Sequence, residues 1–406
     1  MAMQSDEFYM RKALDLARSG VGLVSPNPAV GAIVVGASGR ELGSGSHRYD
    51  EKLHAEVIAL AAAGDRARGA TLYINLEPCS HQGRTGPCAD AVIAAEVRRV
   101  VCAMQDPNPA VGGAGFAKLR AAGIAVEIGL FEAEARKLNE SFTKFIRTGK
   151  PFVTLKSAMS LDGKIAAATK TPAFSTSTSS LSQSEESIET PNGRNSGRRS
   201  ASNPVWITSE ASRTHVQQLR HQSDAILIGV GTVLADDPLL TDRTNLPRRR
   251  KLLRIILDSS LRIPMESRII KSAANDVVVF SSAPDPKTKT ALLSRGIRVC
   301  EIASDSKGRP DFSAMTHALG QMKITSVLVE GGSTVNRAAL NSGEVDKLFL
   351  YYAPAILGPD AIPFIASGRD RDNDASIRRL KETALHRFAE DFSIEGYLRD
   401  PYAADL

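Results

Sequence analysis

Four side chains early in the sequence have the types and spacing of a catalytic metal site. His54 and Glu56 are separated by one residue, and Cys79 and Cys88 follow. One imidazole and two thiolates suit Zn²⁺ and leave its fourth tetrahedral position open for water, as in catalytic rather than structural zinc sites. Water bound there loses a proton near neutral pH. A carboxylate at Glu56 can take that proton and return it later in a reaction.

The remaining cysteines and histidines offer no second site of this kind. Cys102 and Cys300 bring the cysteine count to four, too few and too scattered for a disulfide scaffold. A single cysteine is often only a buried thiol, and a single His-x-Glu is common. We therefore interpret Cys102 as a thiol of a strand core and His47 as a polar loop residue. The combination of His54, Cys79 and Cys88 at helix and strand boundaries favours zinc.

Alternating strands and helices must position these residues. The apolar patterns predict helices over 5–19, 56–63, 89–95, 115–122 and 132–147 and strands over 30–35, 71–76 and 99–103. This alternation is typical of a largely parallel sheet with helices on its faces. Gly149 and Pro151 end the last helix, so we predict a domain over residues 1–150.

A second α/β domain is predicted over residues 151–406. Strands are expected at 152–157, 225–229, 254–257, 276–280, 327–329 and 347–352, and a helix at 335–342. Residues 170–202 contain few apolar side chains, so we predict a disordered insertion there.

Composition and charge narrow the class of protein. With 42% hydrophobic and 24% charged residues, the chain has a globular composition, and it has neither a membrane-length apolar run nor a secretory signal. We expect a cytoplasmic protein without a membrane partner. The net charge of +6 fits nucleic acid or phosphorylated small substrates equally well. Much of the excess lies in the runs 194–199 and 248–251, which we predict to be solvated loops.

The cysteine segment resembles a known family. Zinc deaminases carry His-x-Glu followed by Pro-Cys-x-x-Cys, but here eight residues separate the two cysteines. The longer form, residues 78–88, resembles the deaminase half of bacterial bifunctional riboflavin-biosynthesis proteins, although Gly86 stands where that family more often has Pro. Segments 25–31 and 106–109 are also similar to it. The resemblance implies a three-layer, cytidine-deaminase-like domain whose substrate pocket is lined by Asn27, His81, Arg84 and Thr85.

The second half resembles the reductase domain of the same family. The similar segments are 156–164, 206–209, 232–241 and 329–334, so the resemblance spans nearly the whole chain apart from 170–202. It implies a dihydrofolate-reductase-like α/β fold that binds NADPH. The family also has a substrate-contacting Ser shortly before Trp206. Pro204 occupies that position here, so this contact is not carried over.

The resemblance assigns two sets of residues in this half. NADPH would be contacted by Met159, Trp206, Thr232, Asp236, Ser259, Gly332, Ser333, Thr334, Val335, Asn336, Arg337 and Ala338. The substrate would be contacted by Arg220, Leu240, Arg243 and Glu330, with the arginines at its phosphate.

The residues themselves support parts of these sets. Gly331 and Gly332 precede a predicted helix, where free N–H groups attract phosphate, although a plain strand-to-helix turn has the same pattern. Ser259 with Arg262 could hold the 2′-phosphate of NADPH or form only a polar turn. Trp206 could stack on a flat ligand or lie in the core.

These observations predict a bifunctional enzyme of riboflavin biosynthesis that uses Zn²⁺ and NADPH. It would deaminate 2,5-diamino-6-(5-phosphoribosylamino)pyrimidin-4(3H)-one and then reduce the ribosyl side chain, giving 5-amino-6-(5-phosphoribitylamino)uracil. The partners expected are phosphoribosylated pyrimidines and, by resemblance, further copies of the chain, but no nucleic acid. A tRNA-type adenosine deaminase and a zinc-stabilised binding protein that retains only the fold are the alternatives.

Overall fold

The computed structural model describes residues 4–80, 86–167, 206–367 and 377–403. The predictions made for His81, Arg84, Thr85, Pro204 and the insertion 170–202 lie outside these residues. Within them, no helix has both the length and the apolar composition needed to cross a bilayer.

The first sheet has five strands in the order β2-β1-β3-β4-β5. They are β1 Gly31–Val35, β2 Glu41–Ser46, β3 Thr71–Ile74, β4 Arg99–Cys102 and β5 Ala125–Ile128. β1 is antiparallel to both β2 and β3, whereas β3, β4 and β5 are parallel. The expectation of a largely parallel sheet is therefore only half right here, because β1 and β2 form a hairpin that the Gly- and Ser-rich sequence of β2 did not reveal.

Five α-helices cover the two faces of this sheet. They are α1 Asp6–Ser19, α2 Ala55–Ala63, α3 Cys88–Ala94, α4 Ala114–Ala121 and α5 Glu132–Thr148, with a short 3-10 helix at Gly64–Ala67. Alternate strand residues point to opposite cores: Val34 and Leu72 pack with α2, α3 and α4, while Ile33 and Tyr73 pack with α1 and α5. The predicted three-layer domain is confirmed.

Two glycines of β2 bring α2 close to the sheet. A Cβ atom at Gly43 would lie 2.3 Å from the carbonyl oxygen of Ala59, and one at Gly45 would lie 2.5 Å from that of Ala55. Only glycine therefore permits this approach. The spacing matters for function because His54 and Glu56 stand at the start of α2.

The second sheet has nine strands in the order β11-β10-β9-β8-β12-β6-β13-β16-β15. Together with the separate β7–β14 pair, the strands of this half are β6 Phe152–Ser160, β7 Lys164–Ala166, β8 Ala225–Gly229, β9 Leu253–Leu257, β10 Val277–Ser281, β11 Arg298–Glu301, β12 Ser326–Val329, β13 Lys347–Ala353, β14 Ile362–Pro363, β15 Lys381–Phe388 and β16 Asp391–Tyr397. All neighbours from β11 to β13 are parallel, and β16 and β15 are added antiparallel at one edge. The predicted α/β domain is confirmed in this half.

Within the described part of this half, six helices pack on the two faces of the second sheet. They are α6 Glu210–Gln222, α7 Val230–Asp236, α8 Arg268–Lys271, α9 Pro286–Ser294, α10 Phe312–Gln321 and α11 Ser333–Ser342. One core lies between the sheet and α10 and α11, and a second between the sheet and α7, α8 and α9. The carboxyl ends of the neighbouring strands β9, β8, β12 and β6 lie along one edge, where parallel sheets bind their ligands.

Helix α5 links the two halves. It ends at Thr148, and Gly149 follows with a left-handed φ of 69°, which confirms the predicted stop. Its Lys144 Nζ lies 2.9 Å from an oxygen of Asp346 in the second half, and both side chains are buried. The other oxygen of Asp346 accepts the backbone N–H of Val153 at 2.9 Å. The buried carboxylate of Asp346 is thus bonded to the Lys144 ammonium through one oxygen and to a backbone N–H through the other.

Candidate active sites

The three predicted zinc ligands converge. His54 is the N-cap of α2, Cys88 is the first residue of α3, and Cys79 lies in the loop after β3. The Nδ1 atom of His54 is 2.9 Å from the Cys88 sulfur and 3.7 Å from the Cys79 sulfur. All three donor atoms lie within 4.8 Å of one another. This compact set of one nitrogen and two sulfur donors fits Zn²⁺.

The groups around Cys79 favour its thiolate form, which is the form that binds a metal. Hydrogen bonds from the Cys88 thiol and from His54 lower the pKa of Cys79 to about 4, against the effect of burial. The same contact raises the pKa of Cys88, since the two sulfurs share its proton. The N–H of Cys88 at the start of α3 also donates to the Cys79 sulfur, at 3.3 Å. A cation that replaces the shared proton would satisfy both sulfurs.

Glu56 lies in the same site, as the second residue of α2 and two positions after His54. Its side chain is 3% exposed, and burial raises its pKa. A raised pKa makes the carboxylate a better proton acceptor, which suits a group that must both accept and return a proton.

A cavity of about 250 Å³ opens onto these residues. The side chains that bound it besides the zinc ligands and Glu56 are mainly apolar, aromatic or amide groups: Asn27, Pro28, Val30, His47, Tyr49, Lys52, Ala55, Leu76, Glu77, Asp106 and Phe142. Its size suits a nucleotide-like ring. Of these residues, the sequence had assigned only Asn27 to the pocket.

His47 lies in the loop after β2, as expected, but it is buried. His47 is 5% exposed, lines the cavity and stands edge-to-face with His54 at 5.3 Å between ring centroids. Its Nδ1 bonds the carbonyl of Leu53 at 2.8 Å, so that nitrogen carries the proton and Nε2 accepts from the amide of Asn27 at 3.0 Å. Burial lowers the pKa of His47 and keeps it neutral. Cys102, in contrast, is fully buried in β4 as predicted.

Glu77 holds the loop that carries Cys79. Its carboxylate accepts four backbone N–H groups, from Asp106 at 3.0 Å, Gly113 at 2.9 Å, Gly115 at 2.8 Å and Phe116 at 3.2 Å. The similar segment 106–109 is thereby tied to the start of α4. The sequence signal for this role of Glu77 is an acidic residue directly before Pro78 and Cys79.

In the second half, several predicted NADPH residues stand at the carboxyl edge of the sheet. Met159 is near the end of β6, Thr232 follows β8, Ser259 follows β9 and Gly332 follows β12. These four strands are neighbours and parallel. The fold therefore gathers residues that are far apart in sequence.

The two glycines before α11 have different roles. A Cβ atom at Gly331 would lie 2.6 Å from Val335, so Gly331 allows the turn to pack on its own helix. A Cβ atom at Gly332 would meet nothing nearer than the Thr232 hydroxyl, at 3.8 Å. Gly332 is the N-cap and no side chain caps the helix. The open space and the free N–H groups at this end suit a phosphate.

Glu330 forms an ion-pair cluster that is largely shielded from solvent. The guanidinium of Arg220 donates to both of its oxygens, at 2.7 and 3.1 Å, and also to the carbonyl of Thr241 at 3.0 Å. The ammonium of Lys156 lies 3.7 Å from Glu330. Burial alone would raise the pKa of Glu330, but the two cations lower it to about 2. Burial also lowers the pKa of Lys156. From sequence, Lys156 was recognised only as part of the similar segment 156–164.

The remaining predicted residues of this half are more dispersed. Leu240 is buried with a left-handed φ of 54°, and the backbone N–H of Arg243 donates to Gln217 at 3.0 Å. Trp206 is 62% exposed and stacks with Arg213, so it is not a core tryptophan. Asp236 and Arg262 are exposed, whereas Asn336 is buried and donates to the carbonyl of Phe364.

Comparison with known proteins accounts for both halves. Residues 3–104 match the family model for the cytidine and deoxycytidylate deaminase zinc-binding region, and residues 151–394 match the RibD C-terminal domain. Riboflavin biosynthesis protein RibD of Bacillus amyloliquefaciens is 37% identical over 97% of each chain, and that of Escherichia coli K12 is 40% identical over 88% of this chain and 89% of its own.

Solved structures show the same relationship. Acinetobacter baumannii RibD, 34% identical, has a TM-score of 0.77 and covers 97% of this chain and 98% of its own. A Thermotoga maritima protein described as a diaminohydroxyphosphoribosylaminopyrimidine deaminase/5-amino-6-(5-phosphoribosylamino)uracil reductase, 32% identical, has a TM-score of 0.74, with coverage of 96% and 98%.

The fold and the sites define a zinc-dependent deaminase domain joined to a reductase domain. The chain belongs to the RibD family of riboflavin biosynthesis proteins. It is a bifunctional enzyme of riboflavin biosynthesis whose cofactors are Zn²⁺ and NADPH. A tRNA-type deaminase, the first alternative, would leave the whole second half unexplained.

Proposed function

We propose that the chain deaminates 2,5-diamino-6-(5-phosphoribosylamino)pyrimidin-4(3H)-one within residues 1–150 and reduces the product within residues 151–406. The observation that carries this proposal is the buried Glu56 beside the converging donors of His54, Cys79 and Cys88. The activities named for the Thermotoga maritima relative support the choice of substrate.

In the deaminase half, His54, Cys79 and Cys88 would hold the zinc. Bound zinc acts as a Lewis acid that makes water nucleophilic at neutral pH. Glu56 would take a proton and return it to the pyrimidine. The fixed tautomer of His47 makes Asn27 a donor toward it, which leaves the Asn27 amide oxygen to accept from a pyrimidine N–H. His81, Arg84 and Thr85 remain predicted contacts.

In the reductase half, NADPH supplies the hydride. The start of α11, with Gly332 to Ala338, would hold its phosphates, and Met159, Thr232, Asp236, Ser259 and Trp206 would contact the rest. Glu330, held ionised, would accept hydrogen bonds from hydroxyl groups of the sugar chain. Because Arg220 already donates to Glu330 and Thr241, we propose that it orients Glu330, while Leu240 packs on the substrate and the exposed Arg243 contacts its phosphate.

Removal of zinc tests this division of labour. After chelation, the protein should consume no NADPH with the diaminopyrimidine substrate, but it should still consume NADPH with the deaminated aminouracil intermediate. Absorbance of NADPH together with ammonia release measures both steps. Loss of both reactions in a protein that remains folded would contradict the assignment of two separate sites.

Specificity for NADPH tests the role of Ser259 and Arg262. Asp258 closes their loop by accepting the N–H of Ile263 at 2.8 Å, which places both residues directly after β9. Ser259→Ala or Arg262→Gln should raise KM for NADPH on the order of tenfold, by loss of contacts to a doubly charged phosphate, and change KM for NADH little. Lys381→Gln, on the far edge strand β15, is the matched control. Equal losses for both nucleotides would remove the two residues from this role.

We also propose a cytoplasmic homo-oligomer that does not bind nucleic acid. Four free cysteines, two of them placed as metal ligands, support a reducing compartment. Light scattering on the purified protein, with and without RNA, would test the assembly and the absence of nucleic-acid binding.

A further inference from the structure

The basic run 248–251 lies in a loop, as predicted, and Lys251 is exposed. Its three arginines are half-buried, so the prediction that the run is solvated is wrong for Arg248, Arg249 and Arg250. Arg248 donates to the backbone carbonyls of Arg220, His221 and Ser223 at 3.1, 2.7 and 2.6 Å. These carbonyls lie at the end of α6, where a helix attracts cations. Arg249 and Arg250 extend to the other half of the chain, and both reach Ser25.

Arg249 makes three separate contacts with the deaminase half. Its backbone N–H donates to the carbonyl of Gly22 at 2.9 Å, and its guanidinium donates to the carbonyl of Ser25 at 2.5 Å. The guanidinium carbon also lies 3.9 Å from the ring centroid of Tyr49. This distance is well within the range of cation–π attraction.

Both contacted segments reach the deaminase cavity. Tyr49 itself lines the cavity, and Ser25 is two residues before Asn27, which also lines it. Tyr49 belongs to a closed loop in which Arg48 pairs with Leu53 and the N–H of Lys52 donates to Tyr49 at 3.2 Å. The Leu53 carbonyl at the end of this loop accepts a hydrogen bond from Nδ1 of His47. One side chain of the reductase half thus contacts Tyr49 in the cavity wall and the backbone two residues before Asn27.

We propose that Arg249 is a positioning residue for the deaminase substrate, so that the reductase half completes the pocket of the deaminase half. The guanidinium suits this role because it lies over the Tyr49 ring while one of its N–H groups bonds the Ser25 carbonyl, which an ammonium cannot do in the same geometry. This inference rests on the proposed function of the cavity as the deaminase site.

Arg249→Ala tests the inference through the two steady-state constants of deamination. KM for the diaminopyrimidine should rise about tenfold, because the walls of the pocket lose their stacked support, while kcat should change less than about twofold. The reductase constants, measured with the aminouracil intermediate, should not change. Arg249→Lys should recover only part of the loss. Lys251→Ala is the matched control, since Lys251 contacts only the Ala274 carbonyl among the described residues.

A double-mutant cycle with Tyr49 separates positioning from a general loss of structure. Tyr49→Leu should raise the same KM. The KM of the double variant should be no higher than that of the more affected single variant, because both substitutions remove the same contact between Arg249 and Tyr49. Unchanged KM in Arg249→Ala, or fully additive effects in the cycle, would overturn the proposal. If Arg249→Ala did not fold, as judged by lost reductase activity, Arg249→Lys and Tyr49→Leu would still decide the outcome. A failure of the deaminase assignment itself would be recognised separately, by full deamination in Glu56→Gln.

Discussion

Glu56→Gln is expected to retain its zinc and to deaminate about 10²–10⁴ times more slowly than the parent protein. The amide cannot carry the proton, whereas the three metal donors are unchanged. Glutamine also has nearly the same size, so the buried position in α2 should accept it without loss of packing. Ammonia release from the diaminopyrimidine, with zinc content determined on the same sample, measures both expectations.

The control for this variant is in the same protein. Its reductase half should still reduce the aminouracil intermediate at the parental rate, because that site lies on another sheet. Glu96→Gln, an exposed residue paired with Arg68, should have no effect on either reaction. Parental deamination in Glu56→Gln would refute the proposed mechanism.

Cys79→Ser and Cys88→Ser are expected to abolish both zinc binding and deamination. A serine hydroxyl does not ionise near neutral pH, so each variant would keep only two of the three metal donors that the structure brings within 4.8 Å. The parent should hold about one zinc per chain, and each variant much less than that. Metal analysis after gel filtration, followed by the ammonia assay, gives the result.

Cys300→Ser is the matched control, because this cysteine lies in β11 of the second half. It should keep full zinc content and full deamination. Reduction of the aminouracil intermediate should persist in all three serine variants. Zinc bound at parental stoichiometry in both Cys79→Ser and Cys88→Ser would show that the metal is held elsewhere.

The sequence by itself identified the three metal donors and singled out Glu56 as the proposed general acid–base group. This was possible because zinc chemistry requires particular side chains, and because the motif places each of them at a helix or strand boundary. Local signals also located α5, which ends where Gly149 adopts a left-handed conformation. Apolar runs located the central strands β8, β9 and β12, since strands buried on both faces are continuously apolar.

Only the tertiary structure decided which surroundings these residues have. His47 was expected to be only a polar loop residue. Nothing nearby in sequence shows that Asn27 and His54 flank it in the fold. Edge strands β2 and β15 escaped prediction because their sequences carry little apolar signal, and pairing with β1 and β16 stabilises them instead.

The arginines show most clearly that the surroundings of a side chain cannot be predicted from the local sequence. The resemblance assigned Arg220 to the phosphate of the substrate. Arg249 was predicted to be part of a solvated run, since an arginine without a visible partner is normally exposed. In the fold, Arg220 pairs with Glu330, and Arg249 reaches Ser25 and Tyr49 in the other half of the chain. A charge is buried only where long-range packing brings it a partner, and that pairing cannot be read from local sequence.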